Sequence, residues 1–299
     1  MSSRFFLDGH AFDAPPLAPG LHVVATPIGN LADITLRALR TLAGAEAILV
    51  EDSRVTRTLL THYGISRPMF AYHEHNGQAQ IPHVLERLAQ GQALALVSDA
   101  GTPLVSDPGY RLIEAALAAG FAVSPIPGPS AALAALVISD LPTDRFFFEG
   151  FLPARQGERK RRLRELAGIP ATLVIYEAPH RLIETLADMV DVLGERRATV
   201  ARELTKRFET AQRGALPALL HHYRDTEAPR GEIVILIGAG DETTTVLDDA
   251  AIDRNIVAAL QTHSPRDAAT VVAAALGLPR RQVYARIAAM NAARPDDGR

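Results

Sequence analysis

Short apolar runs alternate with amphipathic segments between residues 21 and 139. Runs of four or five apolar residues bounded by turn residues predict buried strands, and apolar positions recurring every three or four residues predict helices. Repeated strand–helix units predict a mostly parallel sheet covered by helices on both faces, which is an α/β fold. The predicted strands are 21–25, 47–50, 69–72, 93–97 and 122–125, and the predicted helices are 33–42, 55–63, 80–90 and 110–119.

A second α/β domain is predicted after a proline-containing and aromatic passage at 139–155. Hairpin-like pairing is expected near its end, where the strands are joined by short connections. Its predicted strands are 145–149, 172–176, 199–202, 206–212 and 231–238, and its predicted helices are 156–167, 179–193 and 216–222.

The remaining segments are a leader and an Ala-rich tail. Asp8, His10 and Asp13 interrupt any apolar core in the leader, so we expect no signal peptide but a disordered or loosely attached segment. In the tail, a cap at Ser264 and a Gly-Leu-Pro turn suit a helix-turn-helix, although helical hairpins that only pack are commoner. The predicted regions are therefore a flexible leader at 1–20, α/β domains at 21–140 and 141–240, and a helical tail at 251–299.

Composition narrows the class of protein. The 299 residues are 47% hydrophobic and 22% charged, with no cysteine, which excludes disulfides, thiolate metal sites and a cysteine nucleophile. The absence of cysteine also fits a reducing cytosol, so we predict a cytoplasmic location. The most apolar stretch, 131–138, is much shorter than the roughly 20 residues of a membrane span. We therefore predict a soluble protein.

Positive charge is concentrated in two zones, although the formal net charge is −3. Residues 151–170 hold six basic and two acidic side chains, and residues 251–299 hold seven arginines and four aspartates. Such zones suit a surface that contacts phosphates, and they equally suit a solvated helix face. The candidate phosphate contacts are Arg159, Lys160, Arg161, Arg162 and Arg164, together with Arg54 and Arg57 in an earlier segment.

Three Pro- and Gly-containing loops, within 23–30, 94–113 and 124–136, each connect an apolar strand to a helix. In open α/β sheets, ligands bind at the carboxyl ends of the strands, so three such loops indicate one shared crevice rather than three ordinary turns. Ser130 can cap the following helix and direct free N–H groups at a ligand carboxylate. No GxGxxG or GxxxxGK[ST] motif is present, so the loops do not predict NAD or ATP binding.

Two polar segments, 51–57 and 72–76, also follow predicted strands. Asp52 or Ser53 can cap a helix, and Arg54 with Arg57 can hold a phosphate or pair with Glu51. His73 and His75 have the alternating spacing of metal ligands, but no third ligand accompanies them, so no metal is predicted. The candidate general bases are His75, Glu74, Asp52 and Lys206.

The order of several segments resembles the ribosomal RNA small-subunit methyltransferase I family of the tetrapyrrole methylase superfamily. The resemblance covers about 21–238 and is carried by ATPIGNLADIT, EDSRVTRTLL, HEHN, VSDAGTPLVSDPGYRLI, PIPGPSAA, EGFLPAR, YEAPHRL, ARELTKRFET and GEIVILIG. It implies 2'-O-methylation of a decoding-centre cytidine in 16S rRNA. It also implies two α/β domains with S-adenosylmethionine in the cleft between them, and a homodimer.

The resemblance also implies which residues bind the cofactor. The superfamily usually has a Gly-rich first loop and a Gly-Asp pair in the second, whereas TPIGN and SDAGTP stand here, as in the RNA branch. The implied cofactor positions are Pro27, Ile28, Gly29, Asp99, Ala100, Gly101, Thr102, Gly128, Ser130, Ala131, Tyr176, Ala201 and Gly231.

Methyl transfer to a hydroxyl needs chiefly alignment of the reacting atoms, and the resemblance supplies no settled base. We expect charge reversal at Arg161 and Arg162 to weaken RNA binding without changing cofactor affinity. Three alternatives remain open: a methyltransferase acting on a cobalamin or sirohaem precursor, a non-catalytic RNA-binding assembly factor, and a magnesium-dependent hydrolase using Asp99 and Asp107.

Overall fold

The computed structural model describes residues 3–73, 76–107, 109–226, 230–240, 249–276 and 280–292. These residues fall into two units, Met1–Gly240 and Asp241–Arg299. The first unit holds a hairpin and two five-stranded sheets, and the second is helical. No helix among the described residues is both long and apolar enough to cross a membrane.

The leader forms the hairpin β1 (Arg4–Leu7) and β2 (His10–Asp13), so the expectation of a loose segment is wrong. Phe5 is only 1% exposed and joins the core beneath the first sheet, and its ring stacks on Phe12 at 5.4 Å between centroids. The Phe6 N–H also donates to the Tyr63 carbonyl at 2.9 Å. One buried aromatic side chain thus attaches a segment whose polar residues suggested disorder.

The first sheet has the predicted α/β architecture, with strand order β5-β4-β6-β3-β7 and every pair parallel. Apolar side chains from the helices fill both faces, one against α1 and α2 and the other against α3 and α4. Its elements are β3 (Gly20–Val24), α1 (Leu36–Gly44), β4 (Ala47–Val50), α2 (Ser53–His62), β5 (Met69–Ala71), α3 (Gly77–Ala89), β6 (Ala93–Leu96), α4 (Tyr110–Ala118), β7 (Val123–Ile126) and α5 (Ala131–Val137).

The second sheet is mixed, with order β11-β10-β12-β9-β8. Only β8 and β9 pair in parallel, and β10 pairs antiparallel with both β11 and β12. Its elements are β8 (Phe146–Phe151), α6 (Gln156–Leu166), β9 (Thr172–Glu177), α7 (Leu182–Leu193), β10 (Arg197–Arg202), β11 (Thr210–Ala215), α8 (Leu216–Asp225) and β12 (Ile233–Ile237). Helix α5 packs on one face of this sheet through Ala132, Ala135 and Leu136, so it joins the two halves of the first unit.

Strand β11 begins four residues later than predicted, at Thr210 rather than at residue 206. Residues 203–209 form a loop in which Glu203 and Thr205 have positive φ angles of 53° and 65°. Left-handed backbone at these positions cannot continue a strand. The polar spacing that resembled a strand therefore belongs to a turn.

The described residues of the second unit form three helices, α9 (Asp249–Leu260), α10 (Pro265–Leu276) and α11 (Arg280–Ala292), around a small apolar core. Ser264 caps α10 as predicted, because its hydroxyl accepts the Asp267 N–H at 3.3 Å. The Gly-Leu-Pro turn at 277–279 lies outside the described residues.

Candidate active site

The first and second Pro/Gly loops are joined by a two-residue bridge. The Thr26 N–H donates to the Gly101 carbonyl at 2.8 Å, and the Gly101 N–H donates back at 3.0 Å. Gly101 has a φ of +77°, a backbone conformation that favours glycine. A glycine is therefore needed at this position for its backbone conformation. The Thr26 hydroxyl also donates to the Ser98 carbonyl at 3.2 Å. The two loops therefore form one rigid edge.

The third loop attaches to this edge through Thr102, whose hydroxyl donates to the Pro129 carbonyl at 3.2 Å. Ser130 is the N-cap residue of α5, but its side chain makes no capping hydrogen bond, so the predicted side-chain cap is wrong. The start of α5 instead lies near Tyr176. Burial, partly offset by the backbone N–H of Ala132, raises the pKa of Tyr176.

A cavity of about 470 Å³ lies where the three loops face the second sheet. We call it the first cavity. Phe151, Asp107 and Glu177 also line it, and neither Phe151 nor Glu177 was among the predicted binding residues. The Phe151 ring lies edge-on to Tyr176 at 5.7 Å between centroids. Eight predicted cofactor residues line this cavity: Ile28, Ala100, Gly101, Thr102, Ser130, Ala131, Tyr176 and Gly231.

Arg181 braces the wall that carries Phe151. Its guanidinium pairs with the buried Glu177 carboxylate at 3.3 Å and donates to the carbonyls of Leu152 and Pro153 at 2.9 and 3.1 Å. This ion pair within the YEAPHRL segment therefore also fixes the backbone of the EGFLPAR segment. This contact between two sequence motifs holds Phe151 beside Tyr176.

A second cavity of about 370 Å³ adjoins the first and shares Ile28, Ala100 and Glu232 with it. Three predicted cofactor residues, Pro27, Gly29 and Asp99, line this second cavity and not the first. Thr56 and Lys206 line it as well. The structure therefore divides the first two loops between two neighbouring spaces.

Two predicted cofactor residues line neither of these cavities. Ala201 is fully buried in β10, where it pairs with Ala211 and Val234 on the neighbouring strands. Gly128 packs on Ala25, and a Cβ atom added at Gly128 would lie 3.1 Å from the Ala25 Cβ. Both residues therefore act through packing beneath the site.

Lys206 is held between two carboxylates, at 2.9 Å from Glu203 and 3.3 Å from Glu232. Its side chain crosses Gly29 so closely that a Cβ there would lie 2.5 Å from the Lys206 Cγ. Burial disfavours its charge, but the two carboxylates outweigh burial and raise the pKa of Lys206. The lysine therefore stays protonated at neutral pH, and its predicted role as a general base is wrong.

Asp52 is also unsuited to be a base. Its carboxylate caps α2 and binds the Arg54 guanidinium at 2.6 Å. These hydrogen bonds from Arg54 lower the pKa of Asp52 to about 2, so it has little tendency to accept a proton at neutral pH. The other two candidates, Glu74 and His75, lie outside the described residues. Within the described part of the chain, no group of three or more His, Cys, Asp or Glu side chains is arranged so that it could hold a metal ion.

Three carboxylates cluster near the junction of the two cavities. Asp99 accepts the Asp52 N–H at 2.9 Å and lies near Glu51, whose pKa it affects. Burial, with smaller contributions from Glu51 and Asp99, raises the pKa of Asp107 to about 6, although a Ser98 hydrogen bond opposes the rise. Burial and Asp99 likewise raise the pKa of Glu51. The junction therefore favours a cationic ligand, because a positive charge would relieve the repulsion.

A third cavity, of about 540 Å³, continues from the second and shares Leu31 and Thr58 with it. Arg54, Arg57 and His62 line its wall. Both arginines are exposed, and Arg57 makes no ion pair with any described residue. The predicted phosphate contacts on α2 are thus adjacent to the candidate active site.

The basic run on α6 has different surroundings. Arg159 is 1% exposed and pairs with the buried Asp188 at 2.7 Å, so its predicted contact with RNA is wrong. Lys160 pairs with Asp191 at 3.0 Å, and Arg162 binds Glu149 at 2.6 Å and Glu165 at 2.8 Å. Only Arg161 and Arg164 of the predicted set on α6 are exposed without an ion pair to another described residue.

Comparison with known proteins identifies the family. The model of the tetrapyrrole (corrin/porphyrin) methylases matches residues 20–220, and that of the RsmI C-terminal HTH domain matches residues 246–291. Ribosomal RNA small subunit methyltransferase I of Mesorhizobium japonicum is 50% identical, over 92% of this chain and 93% of the relative. The enzyme of the same name from Xylella fastidiosa is 49% identical, over 89% and 98%.

The chain belongs to the ribosomal RNA small subunit methyltransferase I branch of the tetrapyrrole methylases. The fold of this methylase is also that of uroporphyrin-III C-methyltransferase from Thermus thermophilus in complex with S-adenyl homocysteine. That structure has a TM-score of 0.51 and 20% identity, over 73% of this chain and 96% of that one. The methylase uses S-adenosylmethionine as its cofactor.

The first cavity fits this cofactor. Its volume of about 470 Å³ lies within the usual range for small-molecule sites. Tyr176 and Phe151 offer aromatic surface for an adenine ring. The carboxylate of Asp107 suits the positive charge of a sulfonium or ammonium group.

Proposed function

We propose that this methylase transfers a methyl group from S-adenosylmethionine to the ribose 2'-oxygen of a cytidine in the decoding region of 16S rRNA. The observation that carries the proposal is the 50% identity, over 92% of the chain, to a ribosomal RNA small subunit methyltransferase I. The choice of the ribose 2'-oxygen as acceptor and of a cytidine as target nucleotide is inferred from the resemblance of the sequence motifs to that family. Action on the small ribosomal subunit would place the enzyme in the cytoplasm.

The arrangement of the cavities supports an extended, negatively charged substrate. The first cavity adjoins the second at Ile28 and Ala100, and the second adjoins the arginine-lined third at Leu31 and Thr58. A nucleotide in the second cavity would lie beside the methyl donor while its neighbouring phosphates reach Arg54 and Arg57. A small tetrapyrrole would not require that basic extension.

The residues of this chain act mainly by alignment. S-adenosylmethionine supplies an electrophilic methyl group, and the protein must place the attacking oxygen in line with it and exclude water. The bridged loops and the Arg181-braced wall give the first cavity fixed sides. Lys206 lines the second cavity, and its ammonium group would stabilise negative charge that develops on an attacking oxygen bound there.

We also propose that the methylase acts as a homodimer. Leu133 and Val137 lie four residues apart on one face of α5 and are 53% and 79% exposed. This face belongs to the helix whose first residue lines the first cavity. Sedimentation of the full chain tests the proposal: Val137→Glu should shift a dimer to monomer, and a monomeric unsubstituted chain would contradict it.

Transfer of tritiated methyl groups to small ribosomal subunits tests the reaction. Label should enter 16S rRNA and map to one cytidine. The bond on the 3' side of that nucleotide should resist alkali, because 2'-O-methylation removes the hydroxyl that attacks it. Label in a base would contradict the ribose assignment, and binding of RNA without transfer would favour an assembly factor.

A further inference from the structure

The second cavity contains a buried hydroxyl without a partner. Thr56 on α2 is 3% exposed and lines this cavity, yet its Oγ1 makes no hydrogen bond with any described residue. Other helical threonines are satisfied locally: Thr58 donates to the Arg54 carbonyl at 3.2 Å and Thr41 to the Arg37 carbonyl at 2.8 Å. Buried polar groups in folded proteins are nearly always paired. The Thr56 hydroxyl therefore indicates a ligand that the cavity accepts.

Asp99 is half-buried and presents a carboxylate to the same space. Its Oδ1 accepts the Asp52 N–H at 2.9 Å, which fixes the carboxylate. Its Oδ2 has no hydrogen bond within the part of the chain that the structure describes. One oxygen is thus used to orient the group, and the other is left to accept a hydrogen bond from a ligand.

The rest of the lining suits a flat heterocycle. Pro27, Val55 and Leu59 supply apolar surface, and the volume of about 370 Å³ has room for a nucleoside. The cavity adjoins the methyl-donor site through Ile28 and Ala100. A base bound here would leave its ribose at the opening between the two spaces.

We propose that the second cavity binds the unstacked base of the target nucleotide and selects cytosine, with Asp99 accepting from the exocyclic amino group and Thr56 donating to the ring nitrogen N3. This assignment rests on the proposed function and adds the basis of its specificity. Enzymes that act on one nucleotide commonly extrude it and read its Watson–Crick edge in a pocket. Carboxylates accept from cytosine N4, whereas uracil has an acceptor at O4 and an N–H at N3. Uracil would therefore face the Asp99 carboxylate with a carbonyl.

The test compares small ribosomal subunits that carry cytidine or uridine at the methylated position. The unsubstituted enzyme should prefer cytidine in kcat/KM. Asp99→Asn keeps an oxygen for the Asp52 N–H but turns an amide N–H₂ toward the base, so the cytidine-to-uridine ratio should fall about tenfold. Thr56→Val keeps the shape and removes the hydroxyl, so kcat/KM on cytidine should fall about tenfold. The KM for S-adenosylmethionine should not change in Thr56→Val, and in Asp99→Asn any rise in that KM should be smaller than the fall in the cytidine-to-uridine ratio.

Thr41→Val is the matched control. Thr41 is a buried helical threonine on α1 that lines none of the three cavities, so its substitution reports the effect of a buried Thr-to-Val change on folding alone. Its cytidine-to-uridine ratio should equal that of the unsubstituted enzyme. An unchanged ratio in Asp99→Asn, or a raised KM for S-adenosylmethionine as its main effect, would overturn the assignment alone. Absence of transfer by the unsubstituted enzyme would overturn the proposed function with it.

Discussion

Helices α2 and α6 both carry arginines in a short stretch, but the surroundings of those arginines differ. On α6, Arg159 is buried against Asp188, and Arg162 is held by Glu149 and Glu165. On α2, Arg57 is exposed beside the candidate active site and has no ion pair with a described residue. The denser cluster of positive charge is therefore the less available one. Net charge in a window of sequence does not reveal which charges are already neutralised.

The reason for the difference lies in the neighbouring elements. Helix α6 packs against α7, which supplies Asp188 and Asp191, and lies near β8, which supplies Glu149. Helix α2 follows the carboxyl end of β4 in the first sheet. Among the described residues, Asp52 is the one carboxylate that forms an ion pair with an arginine of α2. The arginines of α6 form ion pairs with carboxylates on the neighbouring elements. The first turns of α2, at the carboxyl ends of the parallel strands, have fewer such partners and remain available to a ligand.

The largest effect is expected from Arg159→Met. It leaves the Asp188 carboxylate, 2% exposed, without its main partner. Breaking a buried pair from one side typically lowers the free energy of unfolding by 3–5 kcal/mol, so we expect a loss of about 3 kcal/mol in urea denaturation followed by circular dichroism. The double variant Arg159→Met/Asp188→Leu should recover most of it.

Arg155→Ala is the control for this comparison, because the exposed pair of Arg155 with Glu158 at 3.5 Å should contribute less than about 1 kcal/mol. RNA affinity per folded molecule should not change in Arg159→Met. A loss of RNA affinity with unchanged stability would return Arg159 to the RNA-binding surface.

The next effect is expected from Arg57→Gln and Arg54→Gln on α2. Each phosphate contact with a single strand contributes about 0.7 to the slope of log affinity against log salt. Losing one contact should therefore weaken binding of small-subunit RNA about fivefold at 0.1 M salt. Arg54 should matter less than Arg57, because Asp52 already neutralises it.

Filter binding at several salt concentrations measures both the affinity and the slope. Arg40→Gln provides the matched change, since Arg40 is an exposed arginine on α1 that lines none of the three cavities. Equal losses in Arg40→Gln and Arg57→Gln would show a diffuse charge effect and remove the distinction between α2 and the rest of the surface.

Local sequence patterns predicted the elements that depend on local physics. The all-apolar run Ala47–Val50 is a strand with the predicted bounds, because a buried parallel strand has apolar side chains on both faces. Polar groups after β4 and β6 meet at one edge, because parallel strands end on the same side. The fold class and the position of the crevice therefore follow from periodicity and turn residues.

Contacts between distant segments could not be predicted in the same way. Asp188 lies 29 residues from Arg159, and Glu232 lies 26 residues from Lys206, so no local pattern announces either ion pair. The Asp188 carboxylate allows the Arg159 side chain to be buried, and the Glu232 carboxylate helps to keep the Lys206 side chain protonated. The burial of Thr56 was weakly predictable from the sequence, because the helical spacing of Leu59 and Leu60 places Thr56 on the same buried side of α2.

A smaller effect is expected from Arg162→Gln, which concerns stability rather than RNA. Arg162 binds Glu149 through two hydrogen bonds of 2.6 and 2.7 Å. Removing them should lower the free energy of unfolding by about 1 kcal/mol, because the pair is partly exposed. RNA affinity should stay within about twofold. This result would separate Arg162 from Arg161, which the sequence grouped together, and a large loss of RNA affinity would argue for keeping them together.

The smallest effect is expected from Arg161→Gln/Arg164→Gln, the two exposed cations of α6 without an ion pair to a described side chain. If the α6 surface contacts RNA, these residues carry the contact, and their loss should reduce the salt slope by about 0.5, which is less than one full phosphate contact, and the affinity by two- to threefold near physiological salt. Measurement at low ionic strength increases the sensitivity, since weak surface charges act most strongly there. An unchanged slope would confine RNA binding within the first unit to the α2 side. The basic run on α6 would then be explained by its ion pairs with α7 and β8, which stabilise the second sheet.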